Sequence, residues 1–273
     1  MGTLYLVATP IGNLEDITLR GLRVLREVTL IAAEDTRQTR KLLDRHDIQT
    51  PLVSYHEYNK ESRSAGILDA LKQGDVAIVS DAGTPGLSDP GYELVRSAIA
   101  AGFTVSPIPG PSAPVAALVA SGLPADGFVF VGYLPRRSAD RLRLLASFSR
   151  EKRTIVAFEA PHRLRRSLDD LIATFGEGRQ AAVCRELTKI YEEILRDNLG
   201  GIRDHFNRVE PRGEFTLVIG GSPDGTAWEL TEVRTALAAR LESGMSPTQA
   251  ARIVAAESGW TRHEVYRLAV EGR

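Results

Sequence analysis

The chain has 273 residues, of which 43% are hydrophobic and 25% charged, and its formal net charge at pH 7 is −1. This length supports more than one buried core, and the near-zero charge excludes a wholly basic nucleic-acid-binding surface. The single cysteine, Cys184, excludes an intramolecular disulfide framework and fits a reducing compartment. Neither a signal-peptide pattern nor a membrane-length apolar run is present, so we expect a cytoplasmic protein.

The first part of the chain alternates short apolar runs with helical stretches. Strands are expected at residues 4–8, 30–33, 52–55, 76–79 and 103–105. Helices are expected between them, for example at residues 19–28 and 92–101. This alternation is typical of βαβ units around a largely parallel sheet. We therefore predict an N-terminal α/β domain over residues 1–110.

The alternation resumes after a proline-rich connection and predicts a second α/β domain over residues 111–224. A helix is expected at residues 115–121, and strands are expected at residues 128–131, 154–158, 181–184 and 215–219. From Trp228 onward the pattern changes to three short helices, at residues 230–242, 246–257 and 261–270. We predict a small helical domain over residues 225–273. Its role is open between RNA docking, support of a dimer and structural capping of the second domain.

The most informative loop covers residues 80–91, directly after the strand predicted at residues 76–79. Its three glycines permit positive φ or close backbone approach, while its two prolines fix φ, so the loop is stiff and its amides are exposed. Asp81 stands at the carboxyl end of a strand, where open α/β sheets bind ligands, and its carboxylate suits hydroxyl and ammonium groups. The alternative is that Asp81 and Asp89 only cap turns and the helix near Tyr92.

Two further stiff loops follow other strands. In residues 107–114, proline at every second position predicts a rigid, extended connection. Ser112 is then placed as the N-cap of the next helix, with its hydroxyl and the free amides directed at a ligand. A turn at residues 9–13 follows the first strand. We expect the three loops to converge on one edge of the sheet.

These three loops, together with Ala33-Glu34-Asp35-Thr36-Arg37, resemble the tetrapyrrole methylase superfamily from Thr3 to about residue 221. The run of residues 80–91 carries most of the resemblance. Porphyrin and corrin methylases usually have a glycine-rich first turn and a Gly-Asp-Pro version of the second loop. This chain has only Gly12 in the first turn and Asp81-Ala82-Gly83 in the second loop. That departure favours a branch of the superfamily that acts on RNA.

The resemblance implies two α/β domains of the tetrapyrrole methylase type with the cofactor cleft between them, a homodimer, and S-adenosylmethionine as methyl donor. The implied acceptor is the ribose 2′-hydroxyl of a decoding-centre cytidine in the 16S rRNA of the small ribosomal subunit. The residues implied around the donor are Pro10, Asp81, Ala82, Gly83, Ser112, Ala113, Phe158, Leu187 and Thr216. Two alternatives stay open: a methylase of a tetrapyrrole or of another small or protein-bound acceptor, and a non-catalytic RNA-binding factor of ribosome assembly.

A protonated ribose hydroxyl is a poor nucleophile, so a carboxylate, a histidine or a lysine of lowered pKa is expected within hydrogen-bond reach of it. The leading candidates for the catalytic site are Glu34, Asp35, Arg37 and Lys189, of which Arg37 could hold a phosphate instead of acting as the base. Glu34 and Asp35 could instead cap the helix that begins near Thr36. Lys189 could instead pair with Glu192 or Glu193 on the surface.

Positive charge is concentrated in residues 136–166, where ten lysines and arginines stand against three acidic residues. This segment could line a groove for ribosomal phosphates, or it could form the solvated faces of two helices. The five histidines are never paired at helical metal-ligand spacing, and one cysteine cannot complete a thiolate zinc site, so no structural metal is predicted. The sequence also has no phosphate loop, nucleophile elbow or dinucleotide-binding glycine motif.

Overall fold

The computed structural model describes residues 2–87, 91–222 and 228–271, except for the side chains of Glu61, Ala256 and Glu271. The chain divides into two units, one ending at Gly221 and the other beginning at Ser222. Residues 88–90 of the informative loop, and with them the expected capping by Asp89, lie outside the described residues.

The first sheet has five parallel strands. They are β1 (Thr3–Val7), β2 (Leu30–Ala33), β3 (Leu52–Ser54), β4 (Val76–Val79) and β5 (Thr104–Ile108). Their order across the sheet is β3-β2-β4-β1-β5. The helices that connect them are α1 (Leu19–Glu27), α2 (Thr36–Arg45), α3 (Lys60–Gln73) and α4 (Tyr92–Ala100). The predicted parallel sheet of βαβ units is therefore confirmed in this half.

The prediction at the end of this sheet was wrong in one respect. Pro107 belongs to β5, where it pairs with Leu6 of β1, and the rigid connection begins only at Pro109. Proline is compatible with this position because β5 is an edge strand, so the N–H that proline lacks is not required by a further neighbour.

The second sheet has a mixed strand arrangement. Its strands are β6 (Phe128–Tyr133), β7 (Thr154–Glu159), β8 (Gln180–Arg185), β9 (Glu193–Asn198) and β10 (Phe215–Ile219). Their order is β6-β7-β10-β8-β9. Among these five strands only β6 and β7 pair in parallel, so this sheet differs from the parallel first sheet although its elements also alternate. β9 was missed because the polar sequence of this edge strand resembles a loop.

Four helices cover the two faces of the second sheet. They are α5 (Ala113–Ser121), α6 (Ser138–Ser147), α7 (Leu164–Phe175) and α8 (Leu199–Arg208). Ala117 and Leu118 of α5 pack with Val156 and Val218 on one face. The apolar side chains of α6, α7 and α8 fill the core on the other face. The domain boundary after residue 110 stays a prediction, and the packing of α5 on the second sheet supports it.

The C-terminal unit is a cluster of three helices, α9 (Leu230–Glu242), α10 (Pro247–Ser258) and α11 (Arg262–Glu271), as predicted. Ser246 caps α10 through its hydroxyl, and Gly259 ends that helix with a φ of 71°. Val233, Val254 and Val265 lie in its apolar core. In the part of the chain that the structure describes, no helix has both the length and the apolar character needed to cross a membrane.

Candidate active site

The three stiff loops meet at the carboxyl edge of the first sheet. The Thr9 N–H donates to the Gly83 carbonyl oxygen at 2.9 Å, and the Gly83 N–H donates to the Thr9 carbonyl oxygen at 3.0 Å. The Thr84 hydroxyl donates to the Pro111 carbonyl oxygen at 3.4 Å. Gly83 has a φ of 79°, a conformation that residues with a side chain rarely adopt. The predicted convergence is confirmed.

A cavity of about 410 Å³ lies where these loops face the second sheet. This volume is within the range of small-molecule sites, about 300–1,000 Å³. Eight of the nine residues expected around a donor line it: Asp81, Ala82, Gly83, Ser112, Ala113, Phe158, Leu187 and Thr216. The ninth, Pro10, is buried and does not line the cavity, but its neighbour Ile11 does. The sequence therefore predicted most of the wall of one cavity.

Ser112 has the predicted place at the start of α5. It is the N-cap residue, and its hydroxyl makes no capping hydrogen bond to the helix. Pro114, in the first turn, has no N–H to satisfy. Since both Ser112 and Ala113 line the cavity, the hydroxyl and the first amides of the helix are available to a ligand there.

Two carboxylates, Glu34 and Asp81, lie side by side on the cavity wall. The Asp81 N–H donates to Glu34 Oε2 at 3.3 Å, and Asp81 Oδ1 accepts the N–H of Asp35 at 2.9 Å. Burial raises the pKa of Glu34, and the nearby charge of Asp81 adds to the rise while the Asp81 N–H opposes it. Asp81 therefore links the loops that follow β2 and β4, and it also faces the cavity. The alternative, in which Asp81 only caps a turn, does not account for these contacts.

Asp35 and Arg37 lie outside the cavity lining and pair with each other. Asp35 caps α2 by accepting the Arg37 N–H at 2.8 Å, and its Oδ2 binds the Arg37 guanidinium at 2.7 Å. Hydrogen bonds from Arg37 lower the pKa of Asp35 to about 2. The capping alternative is therefore confirmed for Asp35. The Arg37 side chain is 87% exposed.

Lys189 lies behind the cavity wall, in the loop that follows β8. Its Nζ donates to Glu186 Oε1 and to Glu214 Oε2, each at 2.9 Å, so Lys189 is ion-paired, as the alternative held, but the partners named in that alternative, Glu192 and Glu193, were wrong. Burial favours the neutral amine, but the hydrogen bonds to Glu214 and Glu186 outweigh it and raise the pKa of Lys189. The premise of a lysine with lowered pKa was therefore also wrong, and Lys189 is a cation.

The loop of Lys189 is held in a strained conformation against the first half of the chain. Glu186 and Thr188 have φ values of 51° and 66°, in the left-handed region that disfavours non-glycine residues. The Thr188 hydroxyl accepts the Asn13 N–H at 3.1 Å. A Cβ built on Gly12 would lie 2.5 Å from Lys189 Cγ and 2.9 Å from the Leu187 carbonyl oxygen. The first turn therefore needs glycine at position 12 because this loop packs directly on it.

Several residues of the cavity wall were missed by the sequence reasoning. They are Ile11, Thr84, Leu87, Pro114, Tyr133, Cys184, Glu214 and Phe215. Tyr133 lies at the end of β6, and its ring centroid is 5.3 Å from that of Phe158. Four of these eight residues, Ile11, Thr84, Pro114 and Phe215, directly adjoin predicted ones in sequence, which is a usable signal. Tyr133 and Glu214 could be found only from the strand order.

Cys184 also lines this wall, but its thiol is fully buried and burial raises its pKa to about 11. A thiol of this kind is unreactive, in agreement with the absence of a nucleophile signature around it. Across residues 2–87, 91–222 and 228–271, no three His, Cys, Asp or Glu side chains come together as candidate metal ligands.

The basic segment of residues 136–166 divides into structural and exposed cations. The buried Arg141 binds Asp170, and Arg163 binds the buried Glu159. Surface pairs hold three more, Arg143, Arg153 and Arg165. The exposed Arg136, Arg137, Lys152 and Arg166 have no ion-pair partner among the described residues. The segment is therefore neither a continuous basic groove nor only a solvated helix face.

These features define an α/β protein whose small-molecule cleft is bordered by the carboxyl-end loops of a parallel sheet and by a second, mixed sheet. Comparison with known proteins then gives the family. The family model described as "Tetrapyrrole (Corrin/Porphyrin) Methylases" matches residues 3–203 of the chain. The chain belongs to the tetrapyrrole methylase family.

Relatives and solved structures agree with this assignment. The chain is 46% identical over 273 residues to "Ribosomal RNA small subunit methyltransferase I" of Halalkalibacterium halodurans, covering 98% of this chain and 94% of the relative. A Thermotoga maritima protein of the same name is 48% identical over 222 residues. The match covers 81% of this chain and 99% of that protein. A uroporphyrin-III C-methyltransferase of Thermus thermophilus, solved with S-adenosylhomocysteine, shares the fold with a TM-score of 0.55 and 22% identity, over 80% of this chain and 97% of that one.

Proposed function

We propose that the protein methylates the ribose 2′-hydroxyl of a decoding-centre cytidine, cytidine 1402, in the 16S rRNA of the small ribosomal subunit. The protein is an S-adenosylmethionine-dependent methyltransferase that acts on ribosomal RNA. The observation that carries the proposal is the 46% identity, over nearly the full length, to a relative named as a ribosomal RNA small subunit methyltransferase. A cytoplasmic location, where ribosomal subunits are assembled, follows from the same proposal.

The cleft residues fit S-adenosylmethionine. The donor has an ammonium group, ribose hydroxyls and a flat base, and the cavity offers the Asp81 carboxylate, the free Ser112 hydroxyl and the apolar faces of Phe158 and Leu187. When bound, the donor supplies a methyl group already activated on a sulfonium sulfur. The loops around Gly83 and Ser112 are held by cross-loop hydrogen bonds, so they bind with little loss of conformational freedom.

Among the four candidate catalytic residues, Glu34 is assigned the role of general base for the ribose hydroxyl. Its carboxylate lines the cavity, and its raised pKa brings it closer to neutral pH, which improves proton transfer from a weak acid. Asp81, whose N–H binds Glu34, orients that carboxylate. Positioning the hydroxyl against the activated methyl group supplies most of the remaining rate enhancement.

The other three candidates are assigned supporting roles. Asp35 caps α2 and fixes the backbone that follows Glu34, and Arg37 neutralises it on the exposed side. Arg37 remains accessible to a phosphate through the exposed part of its guanidinium. Lys189 holds Glu186 and Glu214 and thereby the loop that presents Leu187 to the cavity.

The proposed partners are the small ribosomal subunit and a second copy of the chain. The homodimer is carried over from the family resemblance, and light scattering tests it through the mass in solution. A particle with twice the monomer mass supports the dimer, and a particle of monomer mass at micromolar concentration refutes it.

Methyl transfer from labelled S-adenosylmethionine tests the function directly. The acceptors are small subunits that lack the modification, naked 16S rRNA and a tetrapyrrole, and the label is mapped by its resistance to alkali. Label at one alkali-resistant cytidine supports the proposal, and comparison of the first two acceptors identifies the physiological substrate. Label only in the tetrapyrrole would assign the small-acceptor alternative, and no label despite confirmed donor binding would refute the RNA assignment. Failure to bind the donor would revive the assembly-factor alternative.

A further inference from the structure

The mouth of the cleft is bordered by one edge of the second sheet. Tyr133 of β6 pairs with Phe158 of β7, and Phe215 of β10 pairs with both Glu159 of β7 and Arg185 of β8. The ends of β6, β7 and β8 and the start of β10 therefore lie at the same edge. Because Tyr133, Phe158 and Phe215 also line the cavity, the loops at this edge flank its opening.

Exposed cations without ion-pair partners stand along this edge. Arg136 and Arg137 follow β6, Arg166 lies in the first turn of α7 after β7, and Arg212 precedes β10. Within the described part of the chain, none of these four side chains forms an ion pair. We call these four residues, with the loop tip Ile190–Tyr191 described next, the basic edge.

The acidic residues close to the basic edge have partners of their own. Glu159 is buried against Arg163, Glu210 binds Arg165, and Glu186 and Glu214 share Lys189. Glu159 and Glu210 are therefore each compensated by an arginine, whereas Glu186 and Glu214 share one lysine and, among the described residues, Glu192 accepts only the Thr188 N–H. The four unpaired guanidinium groups outnumber these two uncompensated negative charges and give this edge a positive field. Such a field attracts a polyanion and releases its counterions on binding.

The turn between β8 and β9 adds an aromatic ring to the basic edge. Its tip carries Ile190 and Tyr191, whose exposed fractions are 94% and 72%. Below the tip the loop is fixed, because Glu192 accepts the Thr188 N–H at 2.6 Å and Lys189 binds two carboxylates. Tyr191 is thus an exposed ring on a rigid support. Exposed aromatic rings next to cations are the usual means of binding unpaired nucleotides.

The loops on the other side of the cleft have the opposite charge. Glu34 and Asp81 face the cavity there, and we call the carboxyl edge of the first sheet that carries them the acidic edge. These carboxylates repel a phosphate backbone, and the nearby Arg37, although accessible to a single phosphate, has its charge neutralised by Asp35. An RNA strand that enters the cleft is therefore expected to lie against the second sheet.

We propose that the acceptor RNA lies along the basic edge as an unpaired strand, with the arginines on its phosphates and Tyr191 stacked on a base next to the methylated nucleotide. Five strands spaced by about 4.8 Å give this edge a length of about 19 Å, which suits a few nucleotides. This inference rests on the proposed function and adds the residues that present the nucleotide to the donor cleft.

The test compares variants of the basic edge with matched control variants at exposed residues elsewhere in the chain. Tyr191→Ala removes the ring, Tyr191→Phe keeps it, and Arg212→Ala removes one cation. The controls are Ile99→Ala, an exposed apolar residue near the end of α4, and Lys152→Ala, an unpaired cation just before β7. For each variant, binding to unmodified small subunits, its salt dependence, S-adenosylmethionine affinity by calorimetry and single-turnover methylation are measured.

Tyr191→Ala is expected to weaken subunit binding by about 5- to 150-fold, the range typical for loss of one stacked base, while Tyr191→Phe stays near wild type. Arg212→Ala is expected to lower the slope of log affinity against log salt by about one. Donor affinity stays unchanged in all variants, and both controls behave as wild type.

Wild-type affinity and salt slope in Tyr191→Ala and Arg212→Ala, with normal methylation, would overturn the inference alone. If Tyr191→Ala instead changes the oligomeric state measured by light scattering, the loop tip is an interface between two copies, which also overturns it. Absence of methylation of subunits by the wild-type protein would refute the proposed function itself.

Discussion

The two α/β halves bring opposite chemistry to the cleft that they share. The parallel first sheet contributes short loops after strands, tied to one another through Thr9, Gly83 and Pro111, and it places carboxylates at the cavity. In the mixed second sheet, the turn between β8 and β9 and the start of β10 lie at the same edge as the ends of β6, β7 and β8. Antiparallel strands make that possible, because they run to an edge and return from it. The comparison indicates that the two edges bind different molecules: the stiff acidic edge binds the methyl donor, and the exposed basic edge binds a polyanion.

Glu34 gives the sharpest test of the acidic edge. Glu34→Gln keeps an oxygen for the Asp81 N–H but removes the base, so we expect kcat to fall by about 10²- to 10⁴-fold with donor affinity near wild type. In the wild type, activity is lost as pH falls through the raised pKa of Glu34, and this acidic limb disappears in the variant. The measurement is a pH profile of single-turnover methylation.

The same substitution makes a stability prediction with its own sign. Because the folded-state pKa of Glu34 is raised, its ionisation destabilises the fold as pH rises from the unfolded pKa through the folded one. Glu34→Gln is therefore expected to unfold at a higher urea concentration than the wild type at pH 7. An unchanged kcat together with an unchanged urea midpoint would remove Glu34 from the site.

Asp81 tests whether the acidic edge binds the donor or only holds its own loops. Asp81→Ala removes both the ligand contact and the acceptor for the Asp35 N–H, and we expect donor affinity to fall about 10- to 100-fold, as for loss of a hydrogen bond to a charged group. Asp81→Asn keeps an acceptor oxygen and isolates the charge. Calorimetry with S-adenosylmethionine gives the ranking, and wild-type affinity in both variants would assign Asp81 a purely structural role.

Gly12 tests the contact that joins the two halves. In Gly12→Ala the new Cβ meets Lys189 Cγ and the Leu187 carbonyl oxygen, so we expect a loss of about 1–3 kcal/mol in the free energy of unfolding and weaker donor binding. The matched control is Gly66→Ala, in the middle of α3, where nothing lies within 4 Å of the added Cβ. There we expect a gain of about 0.5–1 kcal/mol from helix propensity. Equal effects of the two substitutions on urea unfolding would contradict the close packing of the Lys189 loop on Gly12.

Substitution of Lys189, in the loop that packs on Gly12, is expected to have a comparable or smaller effect on the free energy of unfolding. Lys189→Met leaves Glu186 and Glu214 without their cation and is expected to cost about 1–3 kcal/mol in urea unfolding. Lys189→Arg keeps the charge and should recover part of this loss. Lys72→Met breaks an exposed pair with Asp69 and should cost less than about 1 kcal/mol. Turnover and donor affinity are both expected to fall in Lys189→Met, because the loop that carries Leu187 loses its support. An unfolding cost no larger than that of Lys72→Met would contradict a structural role for the Lys189 pair.

The sequence was a good guide wherever local chemistry decides the structure. Glycine and proline placed the loops around Asp81 and Ser112 at strand ends, and Ser246 with Pro247 placed the start of α10. It was a poor guide to contacts that depend on strand order. The partner of Lys189, Glu214, is 25 residues away in sequence and is brought there only by the pairing of β8 with β10. Tyr133 joins the cavity for a similar reason.

Cross-linking of the protein to unmodified small subunits, followed by peptide mapping, tests most directly whether the RNA binds at the basic edge. The account predicts RNA cross-links at the basic edge, in the peptides that carry Arg136, Arg166, Tyr191 and Arg212, which are lost when a methylated subunit or excess competitor RNA is used. Cross-links confined to the acidic edge around Glu34, or to the opposite edge around Lys152, in a protein that methylates the subunit, would contradict it.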